Sequence, residues 1–232
     1  MVQRSARARF MAGVWVFPGG AVDEGDGDPS LVATAASDAA WRQAALRELV
    51  EEAGIWVTVN GDFSAPQARG IAVHDAAREL QTRLDGDRLG YFANWITPAP
   101  LPIRFDTRFY AAVVDVPAVI DDAELVSSTW IFPGEALDRS ARGDWVVAYP
   151  TEQSLRFLTR FASTSAAMEH IATIDRVPPM QPVIVVIDDR LGMLLPSDDG
   201  FTAAAAAELE DGFLERVQHV LDRTGEIPPE QR

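Results

Sequence analysis

Residues 47–55 read Arg47-Glu48-Leu49-Val50-Glu51-Glu52-Ala53-Gly54-Ile55, and the fold turns on how this stretch is understood. It closes a segment, residues 37–53, that is rich in Ala, Leu, Arg and Glu and free of Pro and Gly, which predicts a helix. Gly54 stands where a left-handed C-terminal cap belongs, and the apolar run 55–59 beyond it predicts a buried strand. On a helix turning about 100° per residue, Glu48, Glu51 and Glu52 occupy i, i+3 and i+4, so three carboxylates crowd one face. Like charges at that spacing repel by about 0.2–0.5 kcal/mol per exposed pair, and by more in a cleft, unless a cation neutralises them. Carboxylate oxygens select Mg²⁺ or Mn²⁺, ions that keep several waters and reach phosphate oxygens. The same three glutamates also describe an ordinary solvated helix face, and the nonapeptide alone leaves both readings open.

The upstream residues favour the metal. Residues 14–18, VWVFP, read as a short strand feeding a tight turn at Gly19-Gly20, where two residues without Cβ let backbone approach a metal or a phosphate. Residues 21–30 are loop chemistry. Downstream, the sequence predicts a helix over 71–84, a strand over 91–96, a proline-stiffened loop, the longest strand over 105–115, and another strand over 125–132. A short helix opened by Pro133, helices over 151–161 and 165–174, a hairpin within 182–196, one final helix over 202–222 and a frayed tail over 225–232 follow. Strands and helices mix without a regular βαβα alternation, which predicts an α+β fold with a mixed sheet between helices.

Composition narrows the function. A chain of 232 residues, 47% hydrophobic and 24% charged, suits one large soluble domain, or one domain with a decorating lobe. The absence of cysteine excludes disulfides, thiolate nucleophiles, zinc fingers and iron-sulfur clusters. The net charge of −15 argues against non-specific binding to nucleic acid or anionic membrane. The apolar stretches stop short of the ~18 residues of a spanning helix. No apolar segment follows the basic residues of MVQRSARARF, so no signal peptide is read and a cytoplasmic address is expected. Arg4, Arg7 and Arg9 all precede the first acid, Asp23, and suit a local anionic ligand. His74, His170 and His219 lack metal-ligand spacing and read as surface, the six tryptophans read as core with one able to pack on adenine, and no serine-hydrolase elbow or P-loop exists.

FPGG at 17–20 followed by Arg47-Glu48-Leu49-x-Glu51-Glu52-x-Gly54-Ile55 resembles the Nudix box, and every position of the later half of that box is filled. The resemblance implies a Nudix fold, with a mixed β-sheet between helices and the catalytic helix at 37–53. It also implies a divalent-metal-dependent hydrolase of a nucleoside diphosphate linked to another moiety. By position, it assigns Glu48, Glu51 and Glu52 to Mg²⁺ or Mn²⁺, the Gly20 carbonyl to the same metal, and Arg47 to bracing the glutamates. The box is split, because Gly20 precedes Arg47 by 27 positions (47 − 20), 13 more than the family's spacing. The family's first glutamate falls at Ala39, eight before Arg47, so its role is absent or passes to Asp23, Glu24, Asp26 or Asp28.

Arg4-Ser5-x3-Arg9-x3-Gly13-x3-FPGG resembles the signature that precedes the box in coenzyme A diphosphatases. Residues 94–112, with TWIFPGEAL at 129–137 and the pair Pro150-Thr151, are similar to the long-insertion coenzyme A hydrolase branch. These likenesses imply cleavage of coenzyme A or acyl-CoA to 3′,5′-ADP and (acyl-)4′-phosphopantetheine, with Arg4, Arg9, Gly19 and Gly20 binding substrate. Hydrolysis of ADP-ribose, NADH or a nucleotide, and a non-catalytic ligand sensor, are the alternatives. The apolar residues that precede the signature are missing, so a chain extending upstream of Met1 and an incomplete sheet edge are expected. Residues 1–160 are then the hydrolase domain and 161–232 a helical extension packed on it. The only partner implied is a small-molecule diphosphate, a homodimer is left open, and Arg104 and Arg108 around Asp106 are expected to form a structural ion-pair ladder.

Overall fold

The computed structural model describes residues 1–7, 11–65, 72–101, 103–120, 125–187, 190–208 and 211–224. In chain order the elements begin β1 Val2–Arg4, β2 Trp15–Val16, β3 Val32–Ala33, α1 Ala39–Ala53, β4 Ile55–Trp56, β5 Phe63–Ser64, α2 Val73–Glu79 and β6 Leu84–Asp85. A 3-10 turn at Gly86–Arg88 leads into β7 Gly90–Ile96, β8 Asp106–Ala111, β9 Leu125–Ser128, α3 Pro133–Ala141, α4 Tyr149–Leu158 and α5 Thr164–Ala172. Then come β10 Pro179–Met180, β11 Val183–Ile187, β12 Arg190–Leu194, α6 Phe201–Ala207 and α7 Phe213–Thr224.

The strands pair in small sheets. β1 lies between β2 and β9, antiparallel to both, and β7 lies between antiparallel β8 and parallel β10, which makes that sheet mixed. Helix α1 is the hub. Its Leu46, Val50 and Ala53, at i, i+4 and i+7, bury one stripe against Ile55, Trp56, Val57, Val73, Ala77 and Leu84. The helix stops at Gly54, whose φ of +62° reverses the chain and whose N–H bonds the Val50 carbonyl at 2.8 Å. No side chain fits there, since a Cβ would lie 2.6 Å from the Val119 carbonyl oxygen and 3.0 Å from that of Ala65.

At its other end α1 is tied to the β7–β8 sheet rather than capped. Asp38 accepts from Arg42 Nε at 2.6 Å and from the Tyr110 hydroxyl at 2.8 Å, while Arg42 Nη1 donates to the carbonyls of Gly86 and Leu89. Burial by itself would raise the Asp38 pKa, but the bonds from Arg42 and Tyr110 outweigh it and hold the carboxyl below its ordinary value.

Several expectations change. The longest described strand is β7, with seven residues, against six in β8. The helix expected to reach residue 84 ends at Glu79, because Leu84 is recruited to pair with Val32. In place of one helix over 202–222 stand α6, which ends at Ala207, and α7, which begins after Gly212, a residue whose φ of +79° is not helical. Trp130, read as core, is 63% exposed. The hairpin turn and the tail at 225–232 lie outside the described residues. β10 joins β7, and Ile184 packs with Leu101, Phe213 and Val217, so residues beyond 160 share a core with the preceding part. Among the described residues no helix is long and apolar enough to cross a membrane.

Two outcomes follow from these anchors. Gly54→Ala loses about 1–3 kcal/mol from the left-handed backbone alone and more from the carbonyl overlap, read as a lower urea midpoint. Asp38→Asn is less stable than wild type at pH 7. Because the folded pKa lies below the unfolded one, that gap closes as pH falls below about 3.9, measured by denaturation at each pH.

Candidate active site

The glycine turn is set in place by β2. Trp15 stacks on Trp145 with centroids 3.9 Å apart and bridges to Val147, so the chain leaves the strand at Phe17 in a fixed direction. It runs directly onto α1. Glu48 and Glu52, one helical turn apart, both meet it: the Gly19 N–H donates to Glu52 Oε2 at 2.9 Å, and a Cβ at Gly20 would lie within 2.5 Å of the Glu48 Cδ. A side chain at Gly20 would push the Glu48 carboxylate out of this position. Arg4 reaches Glu52 from the neighbouring strand β1, with Nη1 4.0 Å from Glu52 Oε1.

Arg47 binds the cluster from below. Its side chain is 7% exposed, and Nη1 donates to Glu48 Oε1 at 2.7 Å and Glu51 Oε2 at 3.0 Å. Nη2 donates to the Ala21 carbonyl at 2.7 Å and to Asp26 Oδ2 at 3.2 Å, with Asp23 at 3.6 Å. Burial alone would lower the Arg47 pKa, but the bonds to Asp26 and Glu48 overcome it and raise the pKa. Burial raises the carboxyl pKa of Glu48 and of Glu51, and the Arg47 charge opposes the shift in both.

The residues inserted between the two halves of the motif return to it. The Asp26 side chain has no exposure and accepts the Asp23 N–H at 2.8 Å besides its bonds to Arg47. Gln43, wholly buried, accepts the Gly27 N–H at 2.8 Å, donates to the Gly25 carbonyl, and meets a ring nitrogen of His74 at 2.8 Å. His74 Nε2 lies 3.5 Å from Asp26 Oδ1. Of the four loop acids weighed for the missing glutamate, Asp26 and Asp23 arrive at Arg47. Asp28 accepts from the Ser30 N–H, and Glu24 is exposed. His74, read as idle surface, is a loop anchor, and Gln43 carried no signal at all, because a lone amide on a helix has none. Ala39 opens α1 and supplies no ligand. Arg9 lies outside the described residues.

Among the described residues no three acidic or histidine side chains are gathered as a finished metal cage. The donor chemistry nevertheless fits a hard divalent cation. Glu48 and Glu52 converge on a backbone turn that excludes Cβ, and the bonds to Arg47 use only Oε1 of Glu48 and Oε2 of Glu51. Glu48, Glu51, Glu52 and the Gly20 carbonyl are the groups that could hold such an ion.

Clustered glutamates against a glycine turn suit metal-assisted hydrolysis of a phosphoric anhydride. The sequence pattern of the NUDIX domain matches residues 1–146, and the chain belongs to the Nudix family. A Caenorhabditis elegans protein named as nudix hydrolase 7 is 29% identical over 85% of this chain and 68% of its own length. The human acyl-coenzyme A diphosphatase NUDT19 is 26% identical over 99% of this chain and 77% of its own. The crystal structure of a NUDIX hydrolase from Alicyclobacillus acidocaldarius superposes with a TM-score of 0.61 at 26% identity, covering 76% of this chain and 88% of that one. The chain is therefore a Nudix pyrophosphohydrolase acting on a small-molecule substrate, in a family that works with divalent metals.

Arg47→Ala strands the buried carboxylates and costs about 3–5 kcal/mol, measured by chemical denaturation. Gly20→Ala displaces only the end of the Glu48 side chain. It keeps stability within about 0.5 kcal/mol of wild type while turnover falls on the order of a hundredfold in steady-state assays.

Proposed function

We propose that the chain hydrolyses coenzyme A or an acyl derivative at its diphosphate, giving 3′,5′-ADP and (acyl-)4′-phosphopantetheine, with Mg²⁺ or Mn²⁺ held by Glu48, Glu51, Glu52 and the Gly20 carbonyl. The observation that carries the chemistry is the convergence of Glu48 and Glu52 on the Gly19-Gly20 turn. The choice of substrate is supported by the likeness to the human acyl-coenzyme A diphosphatase along 99% of the chain and by the arginine signature ahead of the glycine turn.

Each residue has a task. Arg47 fixes Glu48 and Glu51, and the Gly19 N–H fixes Glu52, so the carboxylates do not reorganise when the anionic substrate arrives. Arg4, beside Glu52, adds positive charge where the diphosphate enters, and Arg9 of the same signature joins it in substrate binding. A divalent ion held by Glu48, Glu51 and Glu52 would supply Lewis acidity to the diphosphate and would lower the pKa of the attacking water. Water adds to one phosphorus, the bond to the bridging oxygen breaks, and both products leave as phosphate monoesters. A glutamate of the cluster takes the proton from the water.

Glu52→Gln lowers kcat/KM by about 10²–10⁴-fold, and EDTA abolishes turnover that Mg²⁺ or Mn²⁺ restores. Mass spectrometry of the products from coenzyme A identifies 3′,5′-ADP and 4′-phosphopantetheine. Intact coenzyme A beside rapid cleavage of ADP-ribose or NADH overturns the substrate, and a Glu52→Gln protein with wild-type turnover overturns the site.

A further inference from the structure

Trp41, Glu48 and Glu52 lie seven and four positions apart on α1, which places them within about 40° of one another around the helix, on one stripe. Trp41 is about 10 Å from Glu48 along the axis. Over its ring sits Arg108 of β8, with the guanidinium carbon 4.2 Å from the Trp41 centroid and 5.6 Å from that of Tyr91 on β7. The neighbouring arginines are spent elsewhere. Arg42 is bound by Asp38 and two carbonyls, and Arg104 donates to the Thr97 carbonyl and to Gln181. The expected ladder with Asp106 does not form, since Asp106 accepts from Asn94 at 2.5 Å. The carboxylate beside Arg108 is Asp38, at 4.0 Å, already bonded by Arg42 and Tyr110, and the Arg108 side chain is 28% exposed.

Stacking uses the face of a guanidinium and leaves its in-plane N–H edge for an anion; part of the Arg108 edge faces Asp38 and the Tyr110 hydroxyl, and the remaining N–H groups are the ones a phosphate would take. Here that edge is held two helical turns from the carboxylates, on the same stripe. A ribose separates the 3′-phosphate of coenzyme A from its diphosphate. We propose that Arg108, cradled by Trp41 and Tyr91, is a specificity-determining residue that binds the ribose 3′-phosphate while the diphosphate lies at Glu48 and Glu52. This assignment rests on the coenzyme A reading above.

Calorimetry with 3′,5′-ADP, 2′,5′-ADP and 5′-ADP, and kinetics with coenzyme A and dephospho-coenzyme A, test it on wild type, Arg108→Gln and Arg108→Lys. The wild type binds 3′,5′-ADP at least about tenfold tighter than 5′-ADP and prefers coenzyme A over its dephospho form by a similar factor, carried in KM rather than kcat. Arg108→Gln brings both ratios near one, and Arg108→Lys recovers part of them. Unchanged ratios in Arg108→Gln, ratios near one in wild type, or tighter binding of 2′,5′-ADP overturn the assignment. Should Arg108→Gln fail to fold, the wild-type ratios and Arg108→Lys decide. Equal cleavage of coenzyme A and its dephospho form removes the role of Arg108 and leaves the coenzyme A reading standing, whereas no cleavage of either removes that reading.

Discussion

One buried guanidinium holds this site together. Arg47 lies within 3.6 Å of carboxylates from Glu48, Glu51, Asp23 and Asp26, with 7% of its own side chain exposed. A single positive charge against four negative ones makes the cluster tolerable without making it neutral. The raised carboxyl pKa values of Glu48 and Glu51 register burial that Arg47 offsets only in part. The arginine is thus a structural counter-ion that compensates its four carboxylates only in part.

The long insertion in the motif is anchored by the same charge. Thirteen additional residues could have looped away from the site, yet Asp26 is folded back under Arg47 and the adjacent glycines are tied to Gln43. Gly27, at φ +98°, lies against Ala40, where a Cβ on it would sit 3.2 Å from the Ala40 Cβ. These contacts make the insertion part of the helix's packing. They also let two halves of a motif separated by 27 positions close to hydrogen-bonding distance. The missing glutamate at Ala39 is not replaced at the glycine turn. The loop acids Asp23 and Asp26 serve Arg47 instead.

The β7–β8 sheet contributes more than a support for α1. Tyr110 and Arg108 alternate on the strand and both face the helix, one fixing Asp38 and the other lying over Trp41. This face carries its polar groups along the stripe of α1 that bears Glu48 and Glu52. The opposite face carries Phe92 and Phe109, whose rings pack with Phe17 just ahead of the glycine turn and with Phe157 of α4. The turn is therefore positioned from both sides of the same two strands.

The sequence by itself determined the features set by local stereochemistry: a helix with carboxylates at i, i+3 and i+4, the glycine that ends it, the strand and glycine turn that face it, and the mixture of elements that makes the fold α+β. These follow from helical periodicity and from what a missing Cβ permits, and neither depends on distant residues. Tertiary structure alone decided which partner each long charged side chain chose. Arg108 stands within two residues of Asp106 yet stacks on Trp41, and Arg4 reaches Glu52 across a strand ladder. Gln43 and His74 acquire a purpose only once a loop passes over them. A guanidinium or an amide has several acceptors within reach, and the choice among them is made by strand register and loop path, which no local pattern encodes.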